Sequence, residues 1–113
     1  MFVDINQISI TTVMKLLGGP NPAEGNVFID GLPVCDDAWD EHDGKVACRQ
    51  LGFNGLVRVT TNSHFGSVPS DFAMDEVSCN GTEAKLQDCL HKTRDDCGAN
   101  EGAGVICQMP GLF

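Results

Sequence analysis

The chain lacks long hydrophobic runs and has few basic residues, and both absences restrict its function. No apolar run approaches the roughly 20 residues of a membrane-spanning helix, so we expect no direct membrane insertion by this domain. Only 7 Lys and Arg stand against 16 Asp and Glu, which gives a formal net charge of −9. This charge disfavours binding to phosphate backbones. Nucleic acid is therefore not an expected partner, whereas metal cations and basic protein surfaces are.

Aromatic residues are also scarce, with six Phe, one Trp and no Tyr in 113 residues. A chain of this length forms one domain and buries about two-thirds of its unfolded surface. The N-terminus lacks the basic region and the uninterrupted apolar stretch of a signal peptide. We interpret residues 1–12 as a linker or an added arm, residues 13–108 as the domain and residues 109–113 as a C-terminal tail.

No group of residues in the sequence is typical of an active site. The three histidines have no evident Ser or Cys partner, and the adjacency of Ser63 and His64 does not make a catalytic triad. The cysteine spacings contain no C-x₂₋₄-C pair, which disfavours a zinc site. Paired carboxylates can serve glycoside hydrolysis, but few aromatic side chains are available to line a sugar cleft. The sequence predicts a protein that is not an enzyme.

The sequence does contain six cysteines, at positions 35, 48, 79, 89, 97 and 107. An even number in a chain this short predicts three disulfides and an extracellular location, although spacing alone leaves fifteen possible pairings. A disulfide-rich domain without an export signal is expected to be part of a larger secreted or membrane-anchored protein. Asn80-Gly81-Thr82 is an N-glycosylation sequon in a polar turn, so Asn80 is a predicted glycan acceptor.

Local signals along the chain predict short strands and two helices. The clearest helix spans residues 41–51, with Asp40 as its N-cap and Gly52 as its C-cap. A shorter helix, capped by Thr82, is predicted to run towards Cys89. Strands are predicted at residues 13–17, 26–29, 56–60 and 104–107. This pattern indicates an α+β domain.

Five motifs, taken in order, resemble the scavenger receptor cysteine-rich (SRCR) domain family. They are CDDAWD (35–40), VACRQLGF (46–53), MDEVSC (74–79), GTE (81–83) and AGVIC (103–107). The resemblance covers roughly residues 13–108. It implies a compact α+β fold in which a curved antiparallel sheet cradles one main helix, with a smaller sheet beside it. With six cysteines the chain is similar to the group A type, which implies the pairs Cys35–Cys97, Cys48–Cys107 and Cys79–Cys89.

The resemblance also implies two Ca²⁺ sites on acidic loops. The first matches Asp36, Asp37 and Glu101, and the second matches Asp75, Glu76 and Asp96. If Cys35 is bonded to Cys97, their Cα atoms lie about 5.5 Å apart and bring acids of both loops together, Asp95 included. Carboxylate oxygens are the ligands that Ca²⁺ prefers, and we expect a modest affinity of roughly 10⁻⁴ to 10⁻³ M. The alternative is a solvated surface in which Asp37 or Asp40 caps the helix and Asp75 shapes a turn.

The sequence departs from the family pattern in the first hairpin and near Cys97. Asn26 stands where many members have Arg, and LPVC (32–35) replaces a Trp-bearing ending, which weakens the case for bacterial or polyanion binding through this hairpin. Ala99 and Gly102 stand where His and Asp are common. The resemblance implies a non-catalytic recognition module of the scavenger or pattern-recognition type, with Ca²⁺-assisted binding of protein, glycan or microbial ligands. An accessory domain of a secreted protease or amine oxidase, and a structural spacer, are the alternatives.

Overall fold

The structure is a computed structural model that describes residues 13–93 and 96–109. The predicted arm at residues 1–12, Asp95 and most of the predicted tail lie outside the described residues. The elements, in chain order, are β1 (Met14–Gly18), β2 (Glu24–Ile29), β3 (Leu32–Pro33), α1 (Glu41–Gln50), β4 (Gly55–Thr60), β5 (Asp75–Ser78), a 3₁₀ helix (Leu86–Asp88), β6 (Leu90–Lys92) and β7 (Gly104–Gln108).

Two antiparallel sheets organise the described part of the chain. The larger has the order β1-β2-β7-β4, with β3 paired to β2, and the smaller consists of β5 and β6. The last strand within the described residues, β7, therefore lies between β2 and β4. Its residues Gly104 and Val105 are buried. This arrangement confirms the predicted α+β class with one main helix.

The main helix, α1, begins at a reciprocal capping box. The Asp40 side chain accepts hydrogen bonds from the backbone N–H groups of His42 and Asp43, and the Asp43 side chain accepts one from the Asp40 N–H. Such caps satisfy N–H groups that have no partner within the helix. The other oxygen of Asp43, a fully buried residue, accepts the Cys79 N–H at 2.8 Å. Asp43 thus joins the start of α1 to the end of β5.

The buried face of α1 packs against β4 and β7 to form the core. Gly44 makes a close approach possible, because a Cβ atom there would lie 2.5 Å from Cγ1 of Val59 and 2.9 Å from Cδ1 of Leu56. The helix ends as predicted near Gly52, whose φ of +91° is the left-handed conformation that favours glycine. The residues with no exposed surface include Val27, Val34, Val46, Ala47, Val77, Leu86 and Val105.

Three disulfides cross-link the chain, and no cysteine is free. The pairs are Cys35–Cys97, Cys48–Cys107 and Cys79–Cys89, with sequence separations of 62, 59 and 10 residues. They confirm the pairing that the family resemblance implied. In the chain-entropy model each of the two long closures contributes roughly 4 kcal/mol to the free energy of unfolding.

The segment around the predicted second helix differs in detail from its prediction. The helix is a single 3₁₀ turn at Leu86–Asp88, with no side-chain cap. The Thr82 N–H and hydroxyl instead donate to the Asn80 side chain, and Glu83 accepts the backbone N–H groups of Asn80 and Gly81. These short-range bonds favour a turn over a helix at 80–83. Asn80 is exposed there, and its glycosylation stays a prediction.

Candidate cation site

Three loop segments meet beside the Cys35–Cys97 disulfide. The Cys35 N–H donates to the Met74 carbonyl oxygen at 2.9 Å, which brings the start of β5 next to the first cysteine. The Asp36 N–H donates to the Glu101 carbonyl oxygen at 2.8 Å, which adds the loop before β7. The long loop after β4 supports this arrangement, since the Ser63 hydroxyl donates to the Ala99 carbonyl oxygen at 2.7 Å. Backbone hydrogen bonds therefore hold the acidic segments together.

Carboxylates from all three segments converge. Potential ligand atoms of Asp37, Asp75, Asp96 and Cys97 lie within 4.8 Å of one another, as do those of Asp37, Glu101 and the two disulfide cysteines. A cysteine binds a metal as the thiolate, and the sulfurs of Cys35 and Cys97 are bonded to each other instead. Only the carboxylates remain as donors. We call Asp37, Asp75 and Asp96 the aspartate cluster.

Asp37 belongs to both groups, and its proximity to Asp75 is the part that the sequence did not indicate. The sequence-based sites assigned Asp37 to the first site alone, with Asp36 and Glu101. In the structure its carboxylate also meets Asp75 and Asp96, the acids assigned to the second site. The two predicted sites are thus neighbours that share one side chain.

The pKa values of the acids reflect their burial and their crowding. Burial raises the pKa of Asp37, and the negative charges of Asp75, Glu101, Asp96 and Asp36 raise it further. Burial also raises the pKa of Asp36, with a contribution from the charge of Glu101, against the lowering effect of a hydrogen bond from the Asn62 N–H. Acids that repel one another in this way favour the presence of a cation.

Asp36 and Glu101 each use one oxygen to shape the loops. Oδ2 of Asp36 accepts the Asn62 N–H at 2.7 Å, and Oε1 of Glu101 accepts the Gly98 N–H at 3.0 Å. Each carboxylate has a second oxygen that is open to a ligand role. In the described ranges, Glu101 belongs to a group whose ligand atoms lie within 4.8 Å of one another, whereas Asp36 does not. Both residues are half-buried beside Asp37.

Glu76 lies apart from the other predicted ligands. Its Oε2 atom is 2.8 Å from the Lys92 ammonium nitrogen, and its ligand atoms are not among those that converge within 4.8 Å in the described ranges. Its N–H donates to Oδ1 of Asp75 at 2.7 Å, so its backbone contributes to the position of that acid. The sequence did not single out Lys92. The pairing of β5 with β6 sets Lys92 opposite Asp75, and a prediction of that pairing would have identified it.

The donor chemistry of the aspartate cluster fits Ca²⁺. Hard cations take carboxylate and carbonyl oxygens, and Ca²⁺ coordinates six to eight of them in flexible geometry. Asp37 is half-buried, Asp75 is only 2% exposed and Asp96 is exposed, so the cluster runs from the interior to the surface. Solvent or an oxygen of a ligand can reach its outer side.

The three histidines make other contacts. His42 lies 3.5 Å from the Asp40 carboxylate, and Nδ1 of His91 lies 2.8 Å from the Cys89 carbonyl oxygen. The ring of His64 packs edge-on against Phe65, with ring centroids 4.7 Å apart. His42 lies in α1, His91 in β6 and His64 in a turn of the loop after β4.

Comparisons with known proteins agree with the fold. The family profile for the scavenger receptor cysteine-rich domain matches residues 17–108. A scavenger receptor cysteine-rich domain superfamily protein of Patiria pectinifera is 42% identical to the chain, over 84% of the chain and 9% of that protein. The chain thus spans about a tenth of the length of this relative.

Two solved structures are similar along most of their length. The third SRCR domain of murine neurotrypsin has a TM-score of 0.79 and 36% identity, covering 89% of this chain and all of that domain. The dimeric form of the SRCR domain of mouse MARCO has a TM-score of 0.67 and 34% identity, covering 83% of this chain and 93% of that one. Within the ranges that the structure describes, no helix has the length and apolar character needed to cross a membrane. The chain belongs to the scavenger receptor cysteine-rich domain family.

Proposed function

We propose that this domain is a Ca²⁺-assisted recognition module that binds extracellular protein, glycan or microbial ligands. Domains of this family are typically extracellular and generally serve recognition rather than catalysis. One observation carries the proposal for this chain: the ligand atoms of Asp37, Asp75 and Asp96 lie within 4.8 Å of one another.

The charge balance of the chain supports a cation at this place. The acids of the aspartate cluster come from three separate segments that the fold brings together, and the chain already carries a net charge of −9. Burial and the neighbouring negative charges raise the pKa of Asp37, and a divalent ion would offset the repulsion from those charges. We expect a dissociation constant of roughly 10⁻⁴ to 10⁻³ M, the range of extracellular Ca²⁺ modules.

The exposure of the cluster also suggests how a ligand would bind. Bound through one oxygen each, three carboxylates fill three of the six to eight positions of a Ca²⁺ ion, so water or the oxygens of an anionic ligand would take the others. Asp96 is on the exposed side, where such a ligand could reach the ion. The bound ion would thereby allow an acidic domain to recognise an anionic partner.

Calorimetric titration of the oxidised domain with Ca²⁺, with Mg²⁺ as the comparison ion, tests the metal site. We expect saturable binding in the wild type and at least about tenfold weaker binding in Asp37→Asn, because this change removes a carboxylate common to both groups. Asp88→Asn is the matched control, since it removes one exposed charge from the 3₁₀ turn. No saturable heat up to several millimolar Ca²⁺ in the wild type would contradict the proposal.

A second assay separates the two ways in which the acids could bind a ligand. Immobilised domain is offered a sulfated polysaccharide or poly-lysine as probes of opposite charge. If Ca²⁺ bridges to anions, the polysaccharide binds only with Ca²⁺ and is released by a chelator. Retention of poly-lysine that Ca²⁺ displaces would instead favour direct contact between the carboxylates and a basic partner.

The context we propose is a larger secreted or membrane-anchored protein. The chain covers 9% of its Patiria pectinifera relative, as expected if that protein carries other segments beside such a domain. The solved neurotrypsin domain is described as the third of its kind in that protein. The exposed sequon at Asn80 would carry a glycan in the secretory pathway.

A further inference from the structure

Lys92 places a positive charge at the edge of the aspartate cluster. Its ammonium nitrogen lies 2.8 Å from Oε2 of Glu76, and both side chains are largely exposed, at 65% and 46%. Lys92 is the register partner of Asp75 in the β5–β6 pair. Directly opposed residues of two antiparallel strands are near neighbours. The ion pair therefore stands beside the carboxylates and not at a remote surface.

The backbone of β5 is irregular next to this ion pair. Consecutive side chains of a regular strand point to opposite faces, so Glu76 would face away from Lys92, which is paired with Asp75. Glu76 instead has a φ of +48°, and the register of β5 with β6 shifts between Asp75 and Ser78. Side chains other than glycine seldom adopt this conformation, and such outliers are concentrated at functional sites.

The charge of Lys92 also interacts with the cluster itself. The hydrogen bond and charge of Glu76 raise the pKa of Lys92, and the charges of Asp75 and Asp96 raise it further. The interaction is mutual: an ammonium group that two aspartates stabilise also reduces the negative potential that those aspartates present to a metal ion.

We propose that Lys92, held in place by Glu76, is a tethered cation that partly neutralises the aspartate cluster and lowers its affinity for Ca²⁺. This inference rests on the Ca²⁺ site of the proposed function. A Ca²⁺ ion in the cluster would be repelled by the nearby ammonium group, so binding requires that this repulsion be overcome. The cluster would then bind Ca²⁺ only at high concentrations of the ion, and its occupancy would change with the Ca²⁺ concentration in the extracellular range.

Substitution of Lys92 tests this role by calorimetry in a Glu101→Gln background. The Glu101→Gln change removes one carboxylate from the other group, which Glu101 forms with Asp37. It keeps a side-chain oxygen that can accept the Gly98 N–H. We expect Lys92→Met to bind Ca²⁺ about three- to tenfold more tightly, because a unit charge a few ångströms from the ion is removed. Lys92→Arg keeps the charge and should stay within about twofold of its parent. Lys45→Met is the matched control, because it removes one positive charge from the exposed face of α1.

Thermal unfolding separates failure of this inference from failure of the proposed function. In a chelator, Lys92→Met should lower the melting temperature by about 2–4 °C relative to Lys45→Met, because the aspartates lose their counter-charge. Saturating Ca²⁺ should abolish that difference. Absence of Ca²⁺ binding in the wild type would overturn the proposed function. The comparison in chelator would still test whether Lys92 neutralises the aspartate cluster. Equal melting temperatures in chelator, or equal Ca²⁺ affinities of Lys92→Met and Lys45→Met, would overturn the role of Lys92.

Discussion

Gly44 is the position in α1 where helix propensity and packing favour opposite residues. In the interior of an exposed helix, replacing Gly by Ala stabilises a protein by about 1 kcal/mol. At Gly44 the added methyl group would lie 2.5 Å from Cγ1 of Val59 and 2.9–3.0 Å from the two Cδ atoms of Leu56. Overpacking of this kind costs about 1–3 kcal/mol. We therefore expect Gly44→Ala to lower the free energy of unfolding by about 1 kcal/mol.

Urea unfolding of the oxidised domain measures this change. The fluorescence of Trp39 reports on unfolding, because it is the single Trp and is only 6% exposed in the folded state. With a slope of about 1–3 kcal/mol per molar urea, a loss of about 1 kcal/mol moves the midpoint by roughly 0.3–1 M. An unchanged slope would show that the folded state remains compact.

The double variant Gly44→Ala/Val59→Ala isolates the steric cause. Val59→Ala removes the atom closest to the new methyl group, so Gly44→Ala should be neutral or stabilising in that background. The expected coupling between the two changes is about 1–2 kcal/mol. If Gly44→Ala stabilises the wild type as much as it stabilises Val59→Ala, the close approach of α1 to β4 is not as described.

Two other substitutions test groups buried near α1. Burial raises the pKa of Asp43 to about 6, against the lowering effect of N–H bonds from Cys79 and Asp40. Because this pKa exceeds the 3.8 of the ordinary group, the contribution of Asp43 to stability is full below about pH 4 and is lost as pH rises through 6. Asp43→Asn should flatten the profile of unfolding free energy between pH 4 and 7 in metal-free buffer, and a profile as steep as that of the wild type would contradict this assignment. Trp39→Phe removes the ring N–H that donates to the buried Gly104 carbonyl oxygen at 3.0 Å. We expect a loss of about 1–3 kcal/mol by circular dichroism, and a loss below about 0.5 kcal/mol would show that this bond is unimportant.

Elements with strong local signals were predictable from the sequence. The capping acid Asp40, the apolar residues Val46, Ala47 and Leu51, and the glycine at 52 lie within one short segment, and α1 follows them closely. The strands β5 and β6 have only four and three residues, too few to show a period. Their pairing is set by tertiary context, including the Cys79–Cys89 bridge.

The acids of the candidate site were predictable as a set, but their grouping was not. The motifs supplied Asp36, Asp37 and Asp75 from the family resemblance. Which carboxylates meet depends on long-range bonds such as that from the Cys35 N–H to the Met74 carbonyl oxygen, and no local pattern encodes such a bond. The sequence also did not predict that Glu76 pairs with Lys92 and lies apart from the cluster. Its side-chain chemistry alone does not indicate the positive φ that its backbone adopts.

The central position of β7 has a consequence for how the domain is made in the cell. The larger sheet is incomplete until residues 104–108, the last strand, have left the ribosome, because β7 joins β2 to β4. Cys48 must wait for Cys107, which is 59 residues later. At the usual rate of synthesis this takes about 3–12 s. During that interval the Cys48 thiol lacks its partner and the edge of β2 that pairs with β7 is open, so this bridge and the larger sheet can form only after residues 104–108 have emerged.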